Sequence, residues 1–168
     1  MKLRWGRVLF AATGLVGAAW AAQWMLAASP TVDNQIWLDR LPRTDRDKVT
    51  YFMLLDKPDS EKIGGVQVAS VWQRQMDLFT WSRKGSQTRL TFPQDGHVST
   101  LSLKTYACEG QAPEPFTLCL DVKAPDGRKG TLYSNENFRL DSLDEASHLE
   151  LPIDSNAHAT GVPLQQLL

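Results

Sequence analysis

STLSLKTYACEGQAPEPFTLCLDV, residues 99–122, decides the fold class. In its first half Leu101 and Leu103 alternate with Ser102 and Lys104; in its second, Phe116, Leu118, Leu120 and Val122 alternate with Thr117, Cys119 and Asp121. A period of two sends successive side chains to opposite faces of an extended chain, so each half reads as a half-buried strand. The connection EGQAPEP carries the Gly and Pro that reverse a chain. The stretch therefore predicts an antiparallel hairpin with one apolar face.

The same alternation of short apolar runs and turn chemistry extends outward in both directions. VTYFMLL (49–55), GVQVASVW (65–72), MDLFTW (76–81), TRLTF (88–92) and TLYS (131–134) are separated by segments such as RKGS, PQDG and APDGRKG. No segment after Pro30 shows a long apolar stripe at helical period. The expected fold is all-β: an antiparallel meander closed as a small barrel or folded as a β-sandwich, with residues 49–140 as its body. Short helical segments are expected at the ends. One follows a weak cap at Thr44 and Asp47 within a linker over 30–48. The other follows a capping box, Ser142-x-x-Glu145, in a short helix and loose tail over 141–168.

The N-terminus sets the compartment. Lys2, Arg4 and Arg7 precede an uncharged apolar run from Val8 to Ala22, which extends to Ala28 if Gln23 is tolerated. A basic start followed by an apolar helix is an export signal. Residues 1–29 are expected to be either a signal peptide cleaved near Ala19-Trp20-Ala21 or an uncleaved membrane anchor, since about 20 apolar residues can span a bilayer. Trp5 and Trp24 would then lie near its two interfaces. Either way the remainder is expected outside the cytoplasm, as a periplasmic, extracellular or anchored domain, touching membrane only through residues 8–28 if these are retained. Removing the three positive charges takes the formal net charge from −1 to −4. An acidic domain gains nothing from counterion release, so nucleic acid is an unsuitable partner.

Export also decides what Cys108 and Cys119 are. Two thiolates without further ligands do not make a tetrahedral metal site, and eleven positions is not the spacing of a redox dithiol. In an oxidising compartment a structural disulfide is expected. By parity both cysteines project from the polar face of the hairpin. If they lie directly opposite each other, Tyr106 faces Asp121 and Ala107 faces Leu120.

Candidate chemistry is sparse. A nucleophile elbow, an HExxH pair, a P-loop and a GxGxxG turn are all missing from the sequence. His97, His148 and His158 fall in turn, helix and tail segments where a solvated histidine is ordinary. The charges of 37–48 (Asp39, Arg40, Arg43, Asp45, Arg46 and Asp47) read as a mutually paired surface. Trp37 and Leu41 among them are candidates to plug a barrel end or to contact a partner. No catalytic residue, metal or cofactor is expected. A hydrolase with dispersed residues is the less favoured alternative, and an anchored accessory subunit of an envelope complex is another.

Aromatics are the remaining signal. Trp72, Phe79, Trp81, Phe92 and Phe116 lie in strand runs, where they either fill a core or line a pocket. The strand meander over about 36–140, following a segment that carries Trp37, resembles the lipocalin-type barrels. That resemblance implies a carrier of a small hydrophobic molecule, held by those five aromatics. The function expected is non-enzymatic binding, of such a molecule or of an envelope protein.

Overall fold

The computed structural model describes residues 30–110, 112–140, 151, 153 and 164–168. The N-terminal apolar segment, the Ser142–Glu145 capping box, His148 and His158 lie outside the described residues. Eight strands follow one another: β1 (Gln35–Leu38), β2 (Val49–Leu55), β3 (Ile63–Ala69), β4 (Arg74–Lys84), β5 (Gln87–Thr91), β6 (Val98–Ala107), β7 (Leu118–Lys123) and β8 (Lys129–Ser134). Each pairs antiparallel with the next, and β8 returns to β1, so the sheet closes as a barrel and is not a sandwich. The β1–β2, β3–β4, β5–β6 and β7–β8 connections mark what we call the upper end.

Alternation along each strand produces two apolar layers. Inward residues form the barrel core: Trp37 beside Phe52, then Leu54, Phe79, Leu90, Leu101 and Leu120, all nearly or fully excluded from solvent. Their rings pack in sequence, with Phe52 to Phe79 at 6.1 Å and Phe79 to Phe92 at 5.2 Å between centroids. A second layer lies on the outer face of β1, β2 and β8. There Ile36, Leu38, Tyr51, Met53 and Tyr133 are covered by Phe116, Phe138 and Leu140. This explains the unbroken apolar run of β2, whose seven residues are all buried: both of its faces are covered.

Both ends of the barrel are stopped by chain segments. At the lower end Val32 is buried in the core and its carbonyl accepts the Trp37 indole N–H at 2.9 Å, while Thr105 Oγ1 donates to the Pro30 carbonyl. Arg83 clamps Asp33 through two hydrogen bonds of 2.7 and 3.0 Å. At the upper end a 3-10 turn, Leu164–Gln166, brings Leu164 and Leu167 into the core.

The closing seam differs from the other strand pairs. β1 has four residues, and it meets β8 in register at the single pair Leu38–Tyr133. Side chains complete the join. Gln35 Nε2 donates to Ser134 Oγ at 2.6 Å and to the Asn135 carbonyl at 2.5 Å, and Ser134 Oγ donates to the Ile36 carbonyl at 2.6 Å.

Several expectations are corrected. The barrel starts at Gln35, inside the segment read as a linker, because QIWL is buried on both faces and shows no alternation. Thr44 to Asp47 form a turn, not a helix. The end of the chain, expected to be loose, is buried at Leu164 and Leu167. The disulfide joins Cys108 and Cys119 as expected, but the hairpin register is shifted by two: Tyr106 pairs with Cys119 and Ala107 with Leu118. Cys108 donates its N–H to the Thr117 carbonyl, so the bridge crosses the hairpin diagonally with Cα atoms 5.3 Å apart. Cys119 points outward as parity requires, yet it is covered by the outer apolar layer and does not lie on a polar surface.

Candidate functional site

The aromatics proposed to line one pocket separate into three places. Phe79, Trp81 and Phe92 belong to the barrel core. Trp81 sits towards the lower end, its indole N–H shared between the Ile63 carbonyl at 3.0 Å and the Leu55 carbonyl at 3.2 Å, with the Lys62 ammonium 4.7 Å from its ring. Phe116 does not face inward. It precedes β7 and packs in the outer layer, 5.6 Å from the Tyr133 ring and 6.1 Å from Phe138. Trp72 is not in a strand: it stands on the β3–β4 turn, 71 % exposed. Of the two candidates for partner contact, Trp37 has no exposed surface and Leu41 is buried in the outer layer. Trp37 lies in the barrel core.

The upper mouth holds a cavity of about 490 Å³ lined by Val66, Val68, Asp77, Phe92, Asp95 and His97. It brings a histidine and two carboxylates together, but not as an acid–base pair. His97 Nε2–H donates to the Leu168 backbone oxygen, which can only accept, at 2.9 Å. Asp95 Oδ1 accepts the backbone N–H of His97 at 2.9 Å, the bond of an Asx turn. The imidazole therefore fastens the final turn to the mouth.

A second cavity, of about 360 Å³, lies on the outer face near the upper end. Its floor comes from two strands. β2 contributes Val49 and Tyr51, and β3 contributes Gln67 and Ala69. The 39–48 connection walls one side with Pro42, Thr44 and Asp47, and the β3–β4 turn contributes Val71 and Arg74 on the other. The interleaved charges of the sequence hold that connection in shape. Arg40 bonds Asp47 Oδ1 at 3.1 Å and the Lys48 carbonyl at 2.7 Å, and Asp47 Oδ2 accepts the Arg43 N–H at 3.2 Å. Asp39 Oδ1 accepts the Thr50 N–H at 3.0 Å, and the Trp72 indole N–H reaches Asp45 Oδ2 at 3.2 Å, tying the two walls together.

Electrostatics within this region are divided. Burial pushes the Asp39 carboxyl above its ordinary range, against the pull of the Thr50 N–H and the Arg40 charge. Asp47 feels burial too, but the Arg43 N–H and the Arg40 guanidinium outweigh it and hold the carboxyl low. Burial raises the Tyr51 phenol, with Arg74 opposing and Asp39 adding, so the hydroxyl stays neutral. Gln67 is the anomaly: it is 4 % exposed, and its Oε1 has no hydrogen-bond partner among the described residues.

Beside this cavity the outer face of β3 and β4 carries an exposed apolar stripe. Ile63, Met76 and Leu78 are 37, 36 and 41 % exposed, and Val71 and Trp72 continue it over the turn. The Leu78 and Met76 side chains lie over Gly65, 3.6 and 3.8 Å from where a Cβ would stand. Of these residues only Trp72 was singled out in the sequence. The available signal was Gln67 between Val66 and Val68, a polar residue on what proves to be an outer face. No protein-family model, curated protein or solved structure matches this chain.

Proposed function

We propose that this is an exported, non-enzymatic binding domain that engages an envelope protein through the outer face of β3 and β4. The supporting observation is the stripe of Ile63, Met76, Leu78, Val71 and Trp72. Contiguous exposed apolar surface is costly in water and marks contact surfaces. Trp and Met are enriched at such interfaces. A photo-reactive residue placed at Leu78 in the exporting host should capture one discrete envelope protein, and the product should disappear with Met76→Glu. Equal, diffuse labelling from Leu78 and from Lys104 on the opposite side of the barrel would reject the reading.

A second reading, carriage of a small hydrophobic molecule as in the lipocalin-type barrels, draws on the mouth cavity lined by Val66, Val68 and Phe92. The core below is filled by Trp37, Phe52 and Phe79, so an acyl chain has room only where Leu164 and Leu167 now sit. Titration with long-chain fatty acids should then give a saturable change in tryptophan emission that Val68→Lys abolishes. A flat titration excludes it.

A further inference from the structure

Gln67 lies in one cross-strand row with Tyr51 of β2 and Met76 of β4. The row joins the outer cavity to the apolar stripe without a break, so one occupant can cover both. Such an occupant is long and mostly apolar. It must also answer a buried amide whose oxygen has no partner among the described residues. Leaving a buried acceptor unpaired is destabilising, and an apolar residue of the same shape would remove that cost. Among the described residues Gln67 ties no turn, caps no helix and bridges no strand through its side chain.

A glutamine side chain carries an acceptor and a donor in one plane, and a half-turn about its last torsion exchanges them within the same volume. The chemical group that complements it is another amide, with its N–H and C=O side by side. A peptide backbone repeats that group next to apolar side chains. We propose that the outer cavity and Gln67 form a recognition site for a peptide segment of the partner. One apolar side chain fills the space over Val49 and Ala69, and the adjoining peptide group pairs with the Gln67 amide. This rests on the reading of the β3–β4 face as a partner surface. Pro42 and Val71 close two sides of the cavity, and Leu151 and Ile153 of the chain itself also line it, so the occupant enters beside them. Its volume, about 360 Å³, lies at the small end of ligand pockets and suits a side chain better than a bulky cofactor.

The test uses N-acetyl-leucine N-methylamide and its methyl ester, which has the same shape but lacks one N–H, titrated into the ¹⁵N-labelled exported chain. The amide should shift the Gln67 side-chain resonances and bind roughly five- to tenfold more tightly, the fold-change of one net hydrogen bond. Gln67→Met should erase that preference and raise the melting temperature. Equal affinity for amide and ester, no binding of either, or a preference that survives Gln67→Met overturns the site. A lowered melting temperature in Gln67→Met also counts against it, because the amide would then be paired. If Gln67→Met does not fold, Ala69→Phe, which fills the cavity floor, should abolish amide binding; unchanged binding overturns the proposal. Capture at Leu78 separates the two readings. Capture without amide discrimination overturns the peptide site alone, and loss of both overturns the partner face.

Discussion

Gly64 stands directly across from Phe79, and the Phe79 ring occupies the space that a side chain at position 64 would need. A Cβ placed there would also lie 2.6 Å from the Met53 carbonyl oxygen, which is backbone and cannot move aside. The glycine is what allows the Phe79 ring to lie against β3. Gly64→Ala should therefore destabilise the barrel by about 1–3 kcal/mol, the usual cost of overpacking. Gly65→Ala, where the nearest atom is the Leu78 methyl at 3.6 Å, should be nearly neutral. Equilibrium urea unfolding of the pair checks this, and equal effects would contradict it.

Thiol labelling without reductant should find neither Cys108 nor Cys119 reactive in the exported protein. Replacing both with Ala should lower stability by about 2–3 kcal/mol, from the loop the bridge closes in the unfolded chain. Capture at Leu78 should survive, since the bridge lies at the opposite end of the barrel from the β3–β4 turn.

Asp39 and Asp47 should pull the pH profile in opposite directions. The folded value of Asp39 is raised above 3.8, so its contribution is fully present below that value and is lost as pH rises through the folded value. The folded value of Asp47 is lowered below 3.8, so its contribution is present above that value and is lost as pH falls through the folded value. Asp39→Asn keeps an acceptor for the Thr50 N–H and should flatten the decline just above 3.8 without loss at neutrality. Asp47→Asn should cost about 1 kcal/mol at neutral pH and lose less on acidification. Melting temperatures across pH 3–7 measure both.

Intact mass of the protein recovered from an exporting host should show loss of the segment up to about Ala21 or Ser29 if the N-terminus is a signal peptide. A full-length species confined to membranes would instead favour the anchor.

The inward face was legible because it follows a rule: Leu101 and Leu103, Leu118 and Leu120 alternate with polar neighbours, and all four pack in or against the barrel core. Pairing of the cysteines was legible because there are only two. Their register was not, since parity is blind to a shift of two residues. Phe116 was misplaced for a local reason: β7 begins only at Leu118, and the chain before it is still turning. Trp72 was drawn into a strand because Val71 and Trp72 continue the apolar run of β3 past one serine, whereas that serine, Ser70, already ends β3, its N–H bonding the Gln73 carbonyl across a turn at 2.8 Å. The outer cavity had no sequence signature, because its lining comes from residues near 42, 50, 68 and 72 and from Leu151 and Ile153, which are far apart in the sequence and meet only in the fold.

The seam at Gln35 and Ser134 gives the molecule a preferred place to breathe. A ladder of many backbone bonds opens cooperatively, whereas a join of one residue pair and three side-chain bonds can part alone. When it does, β1 and β8 become unpaired edges, each a template for the same strand of another copy. The natural product of such an encounter is a domain-swapped dimer in which β1 of each chain completes the other's barrel, formed at high concentration and slow to dissociate. Weakening the seam with Ser134→Ala would speed amide exchange in β1 and β8 ahead of β5 and β6 and raise the swapped fraction. The native serine, buried and bonded on both sides, is the latch of that seam.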